Sequence, residues 1–392
     1  MDFYPTGRRA GPGIKMKSDR DVAADYVMPP GIYLNSAAVS PMTRASVEAV
    51  ARFHEEYCTL GPDTDASDEL ARGAAAAARE AVSRAVSCSP GEISLTQCTT
   101  DGISMVARGL GLRPGSNVVV RGMGHEHHAN LYPWLGTPAG VRSMPVDGDG
   151  FFEMGELRSR VDGSTGLVAL SHALYNTGAI IPVGEAAAEL RGRAPLFADC
   201  AQSAGCVGVD LPSMGCDFAA FNGSKWLCGP LGTGALYCRA GATAMLEPPA
   251  VGAESSSEEG GRLVHVDGHA RFEAAFRNYA GAAGLAESAR YLLDIGIGEV
   301  RRRNARLAGV LRDGISRIPG ATVYGPDDPG LRTSIVPFNV GRDPAYVVAR
   351  LRSRGIMVAE REMDDVGMVR ASPHVFNTEE EMEEVVRVLR SL

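Results

Sequence analysis

The 392-residue sequence predicts an α/β fold. A large, mostly parallel seven-stranded sheet domain is expected over residues 31–280 and a small C-terminal α/β domain over 281–392, behind an N-terminal arm over 1–30. Three observations predict this. Short apolar runs recur near 93–98, 117–121, 141–146, 167–171, 195–199, 217–221 and 233–239, mostly separated by helical stretches, the alternation that puts helices on both faces of a sheet. A helical stretch over 285–316 is followed by strands near 334–340, 356–361 and 367–372, again alternating with helices. The length is enough for one large domain and one smaller one.

The remaining elements follow in order. The arm is polar and carries Pro and Gly. Ala66 to Ser87 reads as a long Ala-rich helix with Arg and Glu on one side. Glu247 to Gly261, rich in Gly, Ser and Glu, reads as a mobile loop. Thr378-Glu-Glu-Glu381 is a capping box that opens the last helix.

Composition narrows the function. A net charge of −8 and a pI near 5.6 argue against nucleic acid as a main partner. No apolar run approaches membrane length, and Met1 to Arg9 lacks the apolar core of a signal peptide. Eight cysteines are scattered without a Cys-x-x-Cys pair, the usage of reduced thiols in a cytoplasm.

Lysine is nearly absent. Lys15 and Lys17 lie in the arm, and Lys225 stands alone in the apolar, Gly-rich run Asp217-Phe-Ala-Ala-Phe-Asn-Gly-Ser-Lys225-Trp-Leu-Cys-Gly-Pro230. Arginine cannot replace lysine where a deprotonated amine must act, whereas a desolvated lysine serves as a base or forms a Schiff base. The plainer reading is a lysine snorkelling at a strand end. Upstream, Pro195-Leu-Phe-Ala-Asp199 reads as a buried strand ending in an acid, and Gln202 follows three residues on. Such an Asp either caps a helix or pairs with the protonated ring nitrogen of pyridoxal phosphate, whose 3′-oxygen Gln202 would meet. Ile93 to Cys98, Thr99-Thr100-Asp101-Gly102 and the helical run from Ile103 form strand, hydroxyl-rich turn and helix, the layout of a phosphate cradle. His125, Glu126, His127 and His128 could chelate a metal, but no further His or Cys group stands at ligand spacing, so no metal is expected.

These residues carry a family resemblance. Tyr33-Leu-Asn-Ser-Ala-Ala38, Thr99-Thr-Asp-Gly102, Glu126-His-His-Ala-Asn130-x-x-Pro133-Trp134, Asp199-x-x-Gln202, Ser224-Lys225-Trp-x-x-Gly229-Pro230 and Arg370-Ala-Ser-Pro-His-x-x-Asn377-Thr378 run in order to the end of the chain. Together they resemble the class V aminotransferase family, which includes cysteine desulfurases, selenocysteine lyases, kynureninases and isopenicillin N epimerase-like enzymes. The resemblance implies the fold type I architecture of pyridoxal-phosphate enzymes and a homodimer with active sites at the subunit interface. It implies that Lys225 holds the cofactor as a Schiff base and shuttles protons, and that His127 stacks on the ring as the second catalytic residue. Asp199 would bind the ring nitrogen and Gln202 the 3′-oxygen, while Thr100, helped by Thr99 and Ser224, binds phosphate. Arg370 would clamp the substrate α-carboxylate in a bidentate pair, with Asn35 beside it.

The chain departs from the desulfurase pattern in three places. Desulfurases carry a persulfide-forming Cys a few residues before the Arg, but Ile356 to Arg370 holds none, and the last cysteine is Cys238. Tyr175 stands in His172-Ala-Leu-Tyr175-Asn176 where desulfurases have Asn, as in epimerase-like relatives, and is expected to contact substrate. Phe272 to Asn278 lacks the Thr that reaches the neighbouring subunit's phosphate in relatives. Arg277 is expected to make that contact or to meet a second acidic group on the substrate. The expected activity is therefore that of a C–S β-lyase on an S-substituted cysteine in specialised metabolism. Epimerisation, transamination and decarboxylation are the alternatives, and a cofactor-binding regulator without activity is the non-enzymatic one.

Overall fold

The computed structural model describes residues 19–363 and 365–392. Lys15 and Lys17 lie outside them. The end of the expected arm is not loose: Val22 and Tyr26 are buried, and the Tyr26 ring packs 5.6 Å from Tyr291 and 5.0 Å from Phe376.

The large sheet has seven strands: β1 (Ile93–Thr96), β2 (Asn117–Arg121), β3 (Gly140–Met144), β4 (Thr165–Ser171), β5 (Leu196–Asp199), β6 (Phe218–Asn222) and β7 (Gly234–Cys238). Their spatial order is β3-β2-β4-β5-β6-β7-β1, and only β7 runs against the others. Strands β1, β2, β5 and β7 are buried at every residue. Burial on both faces explains why the sequence shows continuous apolar runs there and not alternation.

Helices α1 (Arg44–Leu60), α2 (Asp65–Ala85), α3 (Thr99–Gly109) and α4 (Tyr279–Ile295) belong with this sheet. The helix expected over Ala66–Ser87 is α2, and Thr64 and Ser67 form a capping box at its start. Helix α3 packs on β6 and β7, and α4 packs on α1 and α2. The helical stretch expected over 285–316 is two helices, α4 and α5 (Ile297–Ser316), broken at Gly296 with φ 90°. Packing partners change at that break. The sequence division at 280/281 falls in the first turn of α4, whereas Leu307, Leu311 and Ile315 of α5 enter the small domain's core.

That domain is built on a four-stranded antiparallel sheet of β8 (Thr322–Val323), β9 (Val336–Asn339), β10 (Ala359–Met363) and β11 (Val366–Ala371), in the order β8-β9-β11-β10. Helices α5, α6 (Pro344–Ser353) and α7 (Glu379–Arg390) bury their apolar sides against it. The Thr378–Glu381 capping box forms as read from the sequence. The strand expected at 356–361 is split. Ile356–Met357 pairs in parallel with Ile32–Tyr33, and pairing with β11 begins at Ala359. Gly31 permits the first contact, because a Cβ there would stand 2.1 Å from the Gly355 carbonyl oxygen.

One loop reading is corrected. Ser256–Glu259 and Arg262–His265 form an antiparallel hairpin inside and beyond the stretch read as a mobile loop. Its two-residue turn is Gly260-Gly261, with φ 60° and 79°, both in the left-handed range that such hairpin turns require. Among the described residues no helix is long and apolar enough to cross a membrane.

Candidate active site

The C-terminal ends of β4, β5 and β6 and the N-terminus of α3 converge on one cavity of about 160 Å³, the position where open α/β sheets place ligands. Thr99, Thr100, His127, Tyr175, Asp199, Gln202 and Lys225 all line it. It adjoins a wider cleft of about 860 Å³ that shares Thr100, His127 and Ala129.

Asp199 ends β5 and is buried, with Oδ1 accepting from the Ala201 N–H at 2.8 Å. Burial pushes its carboxyl up to about 6, against the opposing pull of that hydrogen bond and of Lys225. Lys225 follows β6 and is half-buried. Its amine is brought down to about 8 by burial, against the pull of Asp199 and with a push from Arg370. A substantial fraction of the amine is therefore neutral near pH 8.

Gln202 is oriented by its neighbours. Its Oε1 accepts from Trp226 Nε1 at 2.8 Å, and its Nε2 donates to the Ala37 carbonyl at 2.9 Å. An indole nitrogen only donates, so the amide orientation is fixed and one Nε2–H remains for a ligand. His127 is held by its Nδ1, which accepts from the Ala129 N–H at 3.1 Å, and its ring meets Tyr175 edge-on at 4.8 Å. Burial, then the charge of Lys225, bring its imidazole down to about 4, so it stays neutral at pH 7. A neutral ring can cover a cofactor without adding charge to a site already rich in cations.

At the N-terminus of α3, Thr99 spends both donors on Asn222 Oδ1, N–H at 2.6 Å and hydroxyl at 3.0 Å. Thr100 is exposed at the second helical position and offers its hydroxyl and a free backbone N–H to a phosphate. Ser224 is buried beside Lys225 but does not line the cavity.

Arg370, on β11, is buried. Its Nη1 donates to the Tyr175 carbonyl at 2.9 Å and its Nη2 to Asn35 Oδ1 at 3.4 Å, while Nε is buried without a partner. Burial, and then the charge of Arg361, hold its guanidinium down to about 9. Arg370, Asn35 and Tyr175 thus form one cluster joined to the cavity through Tyr175. Arg277 is elsewhere. It lines a separate cavity with Gln97, Gly232 and Thr233, and its Nη2 donates to the Phe272 carbonyl.

Three residues escaped the sequence reading, and a fourth, Glu126, takes a role that the reading did not assign. Asn222 lines the cavity and anchors Thr99. Glu126 and Arg121 form a fully buried ion pair at 3.4 Å, and Glu126 Oε1 accepts from the His127 N–H at 3.0 Å and from the Ser171 hydroxyl. Arg361, on β10, interacts electrostatically with Lys225, His127, Tyr175 and Arg370. The strand expected over 217–221 stopped one residue short of Asn222, which is the last residue of β6. Nothing in residue spacing signalled Arg361, because its place depends on strand register.

The donor set fits pyridoxal phosphate: a carboxylate for the ring nitrogen, an amide N–H for the 3′-oxygen, a partly neutral amine for the aldehyde, a neutral ring for the face, and a helix N-terminus for the phosphate. Comparison with known proteins agrees. The profile of the family described as Aminotransferase class-V matches residues 32–385. A probable cysteine desulfurase of Methanothermobacter thermautotrophicus is 33% identical over 374 residues, covering 90% of this chain and 92% of that one. The cysteine desulfurase of Thermococcus onnurineus superposes with a TM-score of 0.85 at 29% identity, over 92% of this chain and 94% of that one. The cystine C–S lyase C-DES, solved with its product cysteine persulfide, superposes with a TM-score of 0.82 at 25% identity, over 92% and 98%.

Proposed function

Because the chain belongs to the class V aminotransferase family of pyridoxal-phosphate enzymes, we propose that it cleaves the Cβ–S bond of an S-substituted L-cysteine by elimination. The observation that carries this reading is the β10–β11 hairpin. It occupies the stretch before Arg370 and holds no cysteine from Ala359 to Ala371. No thiol is offered there to attack a substrate sulfur. Cys200, Cys206, Cys216, Cys228 and Cys238 are buried, and burial raises the pKa of each, which keeps them as neutral thiols. The likeness to a cystine C–S lyase supports the same choice.

Bound to this site, the cofactor supplies an electron sink for the pair released at Cα. The chain's own groups do the rest. Arg370 and Asn35 orient the α-carboxylate. Lys225, as a neutral amine, takes the proton from Cα, and the Cβ–S pair leaves on sulfur as a thiolate. Asp199 would supply the negative charge that holds the ring nitrogen, and water completes the release of pyruvate and ammonium. The balance is one S-substituted cysteine and one water giving one thiol, one pyruvate and one ammonium.

A panel of S-substituted cysteines, run beside amino acids without a β-leaving group, tests the reading. Equimolar thiol and pyruvate from the first set are expected. Racemisation without pyruvate would indicate an epimerase, and amino transfer to a keto acid a transaminase. Cys58, Cys88 and Cys98 remain, and of these three Cys98, at the N-cap of α3, is the one that interacts with Lys225 and can challenge elimination. Cys98→Ala should keep turnover within about twofold; loss of activity, with alanine and a protein-bound persulfide formed from free cysteine by the wild type, would overturn the proposal.

The active form in this reading is a homodimer in a reducing cytoplasm. The position of Arg277 away from its own Lys225 is compatible with a contact to the partner's phosphate. Sedimentation of the protein, with and without Arg277→Ala, checks the assembly.

A further inference from the structure

Two guanidinium groups serve this site, and one α-amino acid carboxylate needs only one of them. In the β10–β11 hairpin, Ala359 pairs with Arg370 and Arg361 pairs with Met368. Directly opposed residues of an antiparallel pair share a face, and so do residues two apart on one strand. Arg361 and Arg370 are therefore diagonal neighbours on the same face of the hairpin. The residue directly opposite Arg370 is Ala359, so only a methyl group stands across from it on that face.

The two arginines differ in what they already hold. Arg370 is buried and spends Nη1 and Nη2 on Tyr175 and Asn35. Its remaining capacity suits a single carboxylate. Arg361 is half-buried, donates through Nη1 to the Glu360 carbonyl, and has no carboxylate partner among the described residues. Burial lowers the pKa of both guanidinium groups, and at Arg370 the nearby charge of Arg361 lowers it further. Such a pair is relieved when a second anion arrives. Arg277 was the sequence's candidate for a second acidic group, but it lines a different cavity of the chain.

We propose that Arg361 is a specificity-determining residue that binds a second carboxylate, at the far end of the substrate's sulfur substituent. The substrate class is then an S-substituted cysteine whose leaving thiol fragment is itself anionic. Arg370 takes the α-carboxylate and Arg361 the distal one, so the substrate would be held at both ends with its sulfur between them. The substrate class rests on the elimination reading above; the binding assignment of Arg361 does not.

The test separates the two. Matched ligands are 2-aminopimelate, in which a methylene replaces the sulfur of S-(2-carboxyethyl)cysteine, and its ω-amide. Neither can eliminate a thiol. Calorimetric binding to the cofactor-loaded protein should favour the acid over the amide by roughly 10- to 100-fold, the range of a charge-assisted hydrogen bond in a partly buried site. Arg361→Ala should erase that preference and leave amide binding within about twofold, and Arg361→Lys should restore part of it. Equal binding of acid and amide by the wild type, or equal losses for both on Arg361→Ala, would overturn the proposal. S-(2-carboxyethyl)-L-cysteine and its amide are then assayed for pyruvate. A binding preference without pyruvate from either compound would sink the lyase reading and leave Arg361 as the reader of a second acid.

Discussion

The two walls of this site are made differently. The cofactor wall is assembled from the ends of buried parallel strands and the start of α3, and each of its groups is fixed by at least one short hydrogen bond or by burial: Asp199 by Ala201, Gln202 by Trp226 and Ala37, Thr99 by Asn222. The substrate wall is an antiparallel hairpin of the small domain, and its two arginines are set by register, with Arg361 left half-exposed and without a carboxylate partner among the described residues. The first wall is built to hold one molecule in one orientation. The second presents charge at a chosen spacing, and a change of one residue in register or type would change what it selects. In the proposed reading, chemistry resides in the rigid wall and choice of substrate in the adjustable one.

That contrast can be broken experimentally. The largest effect belongs to Lys225. Lys225→Ala should lower turnover roughly ten-thousandfold or more, since it removes the base, and borohydride should fix no pyridoxyl group on the protein. A reducible adduct surviving at another residue would show that the cofactor wall is misassigned. Asp199→Ala comes next. It should retain cofactor through Thr100 and the helix end yet lose roughly a thousandfold in turnover, because the ring nitrogen loses its charged partner. Near-normal turnover would remove Asp199 from the chemistry.

Arg370→Ala, on the other wall, should act mainly on binding. KM should rise by about 10- to 100-fold with a smaller change in kcat. It should also leave a mark on the cofactor wall. Arg370 is a positive neighbour that lowers the Lys225 pKa, so its removal makes the charged amine easier to keep. The pH at which apo-protein captures pyridoxal phosphate half-maximally should move upward from about 8. An unmoved or lower midpoint would mean that the two arginine-bearing strands and Lys225 do not share a field.

The cofactor wall was legible in the sequence because its chemistry demands particular residue types at strand ends and helix starts. Asp199, Gln202, Lys225, Thr100 and His127 could be read without knowing how strands pair, and all line the same cavity. The substrate wall was less legible. Arg370 was found through its motif. Arg361 was not, because Glu360, Arg361 and Glu362 read as an ordinary charged run until pairing with β11 decides which side faces inward. The same reason hid the split at Val358, where one predicted strand serves two partners. The hairpin at 256–265 was missed although Gly260-Gly261 announces its turn, since its strands are short and exposed and carry no apolar alternation.

The parallel pairing of Ile32–Tyr33 with Ile356–Met357 has a consequence for biosynthesis. Leu34 accepts from the Ser372 N–H, the Asn377 side chain donates to the Tyr33 carbonyl, and Leu34 is buried in the small domain's core. The segment that carries Asn35 therefore leaves the ribosome long before its partners exist. At roughly 5–20 residues per second, some tens of seconds separate the two. During that interval the seven-stranded sheet, complete by Cys238, has all its strands, while residues 32–35, which carry the proposed substrate contact Asn35, have nothing to pair with. A nascent chain stalled before residue 356 should thus be able to gather its cofactor ligands yet lack the clamp for an amino acid.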